Sequence, residues 1–305
     1  MILMGISEED KEKYFKAGKI LAETLEKTKK LVKPGQKLLE ISEFAENEIR
    51  RRGADLAFPL NIGINEVAAH YSSPIKDNKT IPDNCIVKLD LGASIDGFLT
   101  DSAISINVGG NEELEKFIIA AETALSSALK IIKAGVSIAK CGEIIEKVIK
   151  KFNLKPIRNL MGHQIKQYNL HAGISVPNVQ KFSSEIDYKF KDGDVFALEP
   201  FTTDGAGLVY SGNATYIYSL IKKVKKRNLP AHIINILTRI WNERKKLPFS
   251  LRWYKDIPNH HIKQLLRMNI LHKYPVLVEI SGGKVAQAEH TILIHNDSCS
   301  IITQK

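Results

Sequence analysis

Four acidic residues lie inside runs that are otherwise apolar and strand-forming, and any fold for this chain has to account for them. Asp90 sits in Val-Lys-Leu-Asp-Leu-Gly and Asp101 in Phe-Leu-Thr-Asp-Ser-Ala. Glu199 sits in Val-Phe-Ala-Leu-Glu-Pro-Phe and Glu289 in Ala-Gln-Ala-Glu-His-Thr-Ile-Leu-Ile. A carboxylate in a strand interior is costly unless it faces water, pairs with a cation or binds a metal. Asp90 and Asp101 flank the turn-like Ser94-Ile-Asp-Gly97, so a hairpin places them face to face. Singly, each acid fits a solvated strand face. Together with the glycine-flanked His163 of Met161-Gly-His, they would put about four negative charges in one low-dielectric region, which two divalent cations would neutralise. Oxygen-rich ligation with one imidazole suits Mn, Co, Fe or Zn better than a structural thiolate zinc site. Two metals sharing bridging carboxylates can activate a water and polarise a carbonyl.

The pattern around these acids is α+β. Ser7, followed by Glu8, Glu9 and Asp10, starts a helix carrying Tyr14, Ala17, Ile20, Leu21 and Leu25 at helical spacing. A second helix is predicted over residues 39–52, capped by Gly53, and a hairpin over 86–108. The order then repeats. Helices are predicted over 112–133 and from Ser137 to about 152, and strands over 195–201 and 208–220. Helix–helix–hairpin thus occurs twice, as in a duplicated α+β fold, although the letters of the halves do not match. Further strands are expected over 275–281 and 285–295, joined as a hairpin by Gly282-Gly283.

The net charge of +10 is concentrated. Residues 220–275 hold 14 Lys/Arg against two Asp/Glu, and the rest of the chain 30 against 32. Pro230 and Pro258 sit where first-turn prolines belong, ahead of amphipathic stretches at 231–245 and 259–271. Since the strand pattern resumes afterwards, 220–275 reads as a basic helical insertion in a body formed by 1–219 and 276–305. Its charge fits either a lysine-rich solvated face or an electrostatic dock for ribosomal RNA, densest at Lys222–Arg227 and Arg244–Lys246. No apolar run approaches the ~20 residues of a membrane helix. The N-terminus has no signal-peptide pattern, and the three scattered cysteines read as reduced thiols, so a cytoplasmic protein is expected.

Asp90, Asp101, His163, Glu199 and Glu289, in that order and spacing, resemble the five metal ligands of methionine aminopeptidases, within the wider pita-bread family that also holds prolidases and creatinase. The likeness spans nearly the whole chain, through Phe58-Pro…Ala-Ala-His70-Tyr, the run from Gly162 to Gly173, and Ala286–Thr291. The helical insertion resembles that of the type II enzymes, and the absence of an N-terminal extension resembles the archaeal short form. The resemblance implies a pita-bread fold and two divalent metal ions. Asp90 would hold one, His163 and Glu199 the other, with Asp101 and Glu289 bridging. It makes Glu199 the general base. His70 and His171 match two non-ligand histidines that contact the scissile amide and the substrate carbonyl. Phe58, Leu170 and Tyr274 match part of the methionine pocket, unless they are simply core. The implied activity is removal of the initiator methionine from nascent polypeptides by a monomer, with a possible ribosome contact through the basic insertion. A prolidase-type peptidase and a non-catalytic nucleic-acid- or partner-binding relative are the competing readings.

Overall fold

In the computed structural model, which describes residues 6–180, 188–221 and 229–304, two similar halves and one inserted lobe build the molecule. In the first half, helices α1 (Glu8–Lys29) and α2 (Leu38–Arg51) precede strands β1 (Asp55–Ile64), β2 (Val67–Ala69), β3 (Cys85–Ile95) and β4 (Phe98–Val108). In the second, α3 (Glu112–Leu129) and α4 (Ile138–Lys150) precede β5 (Lys155–Pro156), β6 (Met161–Ile165), β7 (Ser175–Pro177), β8 (Val195–Leu198), β9 (Phe201–Thr203) and β10 (Val209–Leu220). The lobe holds α5 (Ala231–Arg244), β11 (Phe249–Ser250), a 3-10 turn (Leu251–Tyr254) and α6 (Asn259–Arg267). The chain ends with β12 (Leu271–Glu279), β13 (Val285–Gln287), β14 (His290–Ile294) and β15 (Cys299–Ile301). This is the duplicated α+β pita-bread architecture.

Each half packs an amphipathic helix pair on an antiparallel sheet. Ser7, Asn111 and Ser137 cap α1, α3 and α4 by accepting from backbone N–H groups of the first turn, as their side-chain oxygens allow. Leu21, Leu25, Ile41 and Ile49 pack on β1–β3–β4 through Leu56, Leu60, Val87 and Leu89. Ile118, Leu125, Ile145 and Ile149 form the corresponding core of the second half with Phe196, Leu198 and Ile292. A smaller cluster that includes Phe58, Leu99, Ile165 and Ala197 draws on both halves. Backbone and hydroxyl bonds stitch β4 to the C-terminal strands. Asp101 N–H donates to Thr291 Oγ1, whose hydroxyl donates back to the Asp101 carbonyl, both at 2.7 Å. Ser102 Oγ donates to the Glu289 carbonyl at 2.8 Å.

Several boundaries differ from those predicted. The stretch 195–201 is two strands, because Pro200 has no N–H and breaks the ladder after Leu198. Residues 285–295 are likewise two strands in different sheets. β13 pairs with β9, β14 pairs with β8 and β15, and Glu289 crosses between them with its N–H on the Ala103 carbonyl at 3.0 Å. Gly282-Gly283 therefore joins no hairpin, since β12 pairs with β10 and β2. α3 stops at Leu129 and α6 at Arg267, where Asn269 turns to φ 52° and the chain enters β12 at Leu271. Pro230 and Pro258 occupy the N-cap position, one residue before the first turn.

The lobe rises from the paired ends of β10 and β12, where Leu220 faces Leu271. It has its own apolar cluster of Ile233, Leu237, Ile240, Phe249, Ile262 and Leu265. The basic run at Lys222–Arg227 lies outside the described residues. Among the described residues, no helix is long and apolar enough to cross a membrane.

Candidate active site

The β3–β4 hairpin carries the first two acids. Its turn has Asp96 at φ 52° and Gly97 at φ 82°, the doubly left-handed conformation that a two-residue hairpin turn demands and glycine tolerates. The register places Asp90 opposite Ala103 and Gly92 opposite Asp101, so the two aspartates are diagonal neighbours on one face, not directly opposed. His163 comes from β6, Glu199 from the residue after β8, and Glu289 from the crossing between β13 and β14.

Asp101, His163 and Glu289 each bring a donor atom within 4.8 Å of the others. His163 Nε2 lies 3.4 Å from Asp101 Oδ2 and 3.9 Å from Glu199 Oε1. The Gln287 amide donates to Glu289 Oε2 at 3.2 Å and reaches Glu199 Oε2 at 3.5 Å. Burial raises the pKa of Asp90, Asp101, Glu199 and Glu289, and in Asp90, Glu199 and Glu289 the charges of neighbouring carboxylates raise it further. Burial pulls His163 down to about 4, so its imidazole is neutral and can donate a lone pair.

These residues fit divalent cations. Oδ1 of Asp90 and of Asp101 is buried with no protein hydrogen-bond partner, a costly arrangement for an acceptor unless a cation or proton occupies the space before it. Four carboxylates and a neutral imidazole form an oxygen-rich, thiolate-free donor set.

All ten residues singled out by the sequence line one cavity of about 330 Å³. Asp90, Asp101, His163, Glu199 and Glu289 form its polar floor, and Phe58, Leu170 and Tyr274 contribute apolar wall. His70, just past β2, has φ 64° and sets Nδ1 3.1 Å from the Pro275 carbonyl. A carbonyl only accepts, so Nδ1 carries the proton and Nε2 keeps its lone pair. Burial holds His70 near pKa 4. The His171 ring packs edge-on against His163 with centroids 4.4 Å apart. The enclosing walls and the imidazoles of His163 and His272 keep its pKa well below the usual value.

Sequence reasoning missed three supporting residues. Gln287 lies two residues before Glu289 on the same run. Asn61 lines the cavity from β1. Lys88, two residues before Asp90, is fully buried and donates to the carbonyls of Asn65 at 2.9 Å and Val285 at 2.8 Å, tying β3 to β13; burial lowers its pKa to about 7. Each is a polar residue in an apolar run, the same signal that marked the acids.

Comparison with known proteins agrees with this geometry. Residues 12–296 match the model of metallopeptidase family M24. The methionine aminopeptidase of Pyrococcus abyssi is 41% identical over 97% of this chain and 100% of its own. Among solved structures, Thermotoga maritima methionine aminopeptidase superposes with TM-score 0.73 at 19% identity, covering 98% of both chains. Pyrococcus furiosus prolidase reaches 0.63 at 16% identity, covering 99% of this chain but 66% of the prolidase. The chain belongs to metallopeptidase family M24, among its methionine aminopeptidases. Members of that family use divalent metal ions.

Proposed function

We propose that the cavity removes the initiator methionine from the N-termini of nascent polypeptides with two divalent ions, from among Co, Mn, Fe and Zn. One observation carries this reading: a carboxylate–imidazole floor and an apolar wall line the same cavity. Asp90 would hold one ion and His163 and Glu199 the other, with Asp101 and Glu289 between them. When bound, the ions supply Lewis acidity for water activation and carbonyl polarisation.

The chain's own residues do the rest. Phe58, Leu170 and Tyr274 receive the methionine side chain, whose thioether suits an apolar, aromatic slot. Glu199, whose carboxylate lies 3.9 Å from His163 Nε2 on the cavity floor, would take the proton of the attacking water. His70 Nε2 accepts from the scissile amide N–H, and His171 donates to the carbonyl oxygen as charge builds there. The wall excludes bulk water and strengthens each of these contacts.

The enzyme would work as a cytoplasmic monomer. Residues 220–275 would act as a basic insertion in the catalytic body, and the lysines of Lys222–Arg227 would steer it to ribosomal RNA. Neutralising that run should leave tripeptide cleavage unchanged while weakening salt-sensitive sedimentation with ribosomes. The activity itself is tested by offering Met-Ala-Ser, Leu-Ala-Ser and Ala-Pro with and without chelator. Only Met-Ala-Ser should be cleaved, and only without chelator. Preference for Ala-Pro would transfer the chain to the prolidase reading.

A further inference from the structure

We infer that a cleft opening beside the catalytic cavity is a subsite for the third and fourth residues of the substrate, and that Lys246 makes it favour acidic side chains there. The inference rests on the aminopeptidase reading. The cleft, about 290 Å³, shares Leu170, His171, Pro248 and Tyr274 with the catalytic cavity. The cleft thus adjoins the catalytic cavity, and a polypeptide whose first residue is held against the carboxylate floor would reach it past His171 and Pro248.

Both walls are built. On one side Tyr168 is held at φ 53°, its N–H donating to the Gly97 carbonyl at 2.8 Å. Its ring covers Gly97 so closely that an added Cβ would lie 2.3 Å from Cε2. On the other side His272 packs edge-on against Tyr274, with centroids 4.6 Å apart, and the Tyr274 hydroxyl lies 3.3 Å from Ser219 Oγ. Tyr168 and Leu170 offer apolar surface, while Asn169, Ser219 and His272 offer hydrogen bonds to an extended backbone.

The charge is one-sided. Among the described residues the cleft has no acidic side chain in its lining. Lys246 is exposed at its edge and forms no ion pair with a described residue. An ammonium paired with no described residue, next to a groove that would hold peptide, attracts a carboxylate. Exposed pairs of this kind are weak, so the preference is a few-fold and salt-sensitive.

The test uses C-terminally amidated tetrapeptides, which removes the terminal carboxylate as a rival anion: Met-Ala-Glu-Glu, Met-Ala-Gln-Gln and Met-Ala-Lys-Lys. The wild-type enzyme should show kcat/KM for the Glu peptide roughly two- to five-fold above the Gln peptide, and the Lys peptide below it, with the spread collapsing at high salt. Lys246→Gln should level the three, and Lys246→Glu should invert them. Equal rates in the wild type, or a preference that survives Lys246→Gln, would overturn the subsite and leave the aminopeptidase reading intact. Failure of the wild type to cleave any of the three would overturn that reading and the subsite with it.

Discussion

Arg252, in the 3-10 turn of the lobe, grips Glu46 of α2 through both terminal nitrogens, at 2.6 and 2.8 Å, with both side chains buried. Trp253 Nε1 donates to the same carboxylate at 2.7 Å, and Leu60 N–H donates to it at 3.2 Å. Arg252 Nε also donates to the Ser73 carbonyl at 3.0 Å. One buried pair therefore ties the lobe to the strand bearing Phe58 and to the segment that follows His70. Arg252→Met should strand a buried carboxylate and cost about 3–5 kcal/mol. Replacing both partners, Glu46→Leu with Arg252→Leu, should cost much less because no charge is left unpaired. Denaturant unfolding would compare them, and equal losses in the two variants would contradict the pair as the source.

Metal binding should expel protons. Burial holds Asp101 at about 7, above its ordinary 3.8, so metal-free protein keeps protons on the site into the neutral range. A raised carboxyl pKa contributes stability that is present below the unfolded value and lost as pH rises through the folded one. In chelator, Asp101→Asn should remove its share of that loss between about pH 4 and 7. For the wild type, affinity for Mn should rise with pH through the same window. Calorimetry in two buffers of different ionisation enthalpy should register the released protons, and a signal independent of buffer would refute the assignment.

Asp90→Asn and Glu289→Gln should each lose metal and activity while keeping the fold. Each removes a formal charge and a ligand oxygen but almost no volume. Metal content after dialysis and a far-ultraviolet dichroism spectrum would check this, and full metal content with full activity would remove that residue from the ligand set.

His70→Ala and His171→Ala should instead retain metal and lose turnover. Loss of one donor to the reacting amide typically costs roughly 10²–10³-fold. Metal lost from either variant would place that histidine among the ligands.

Gly92 has no room for a side chain. A Cβ there would lie 2.5 Å from Phe58 Cε1, 2.7 Å from Ala57 Cβ and 2.8 Å from the Thr100 carbonyl oxygen. Gly92→Ala should push Phe58 into the cavity and raise KM for Met-Ala-Ser by about tenfold, with metal content unchanged, since overpacking of this kind costs typically 1–3 kcal/mol. An unaltered KM would mean that Phe58 does not border the methionine.

Asp90, Asp101, Glu199 and Glu289 stand out in the sequence alone, because a carboxylate inside a β-forming run violates the local pattern strongly enough to demand a reason. Helix starts at Ser7, Asn111 and Ser137 were legible for a similar reason: capping is local chemistry between residues two or three apart. Pairing was not. Gly282-Gly283 has the sequence of a hairpin turn, yet β12 prefers β10 and β2, and only the competition among all strands settles that. The same applies to Glu289. Its crossing between two sheets, with Ala103 taking its N–H, sets the carboxylate beside Asp101, and nothing within a few residues of it encodes that neighbour. Gln287, Lys88 and the Arg252–Glu46 pair belong with it, since Arg252 and Glu46 are 206 residues apart in the chain. Residue type and spacing determine which groups can do the chemistry; the tertiary structure decides which of them share a low-dielectric cavity, because charge, burial and hydrogen bonding act over ångströms in space and not along the sequence.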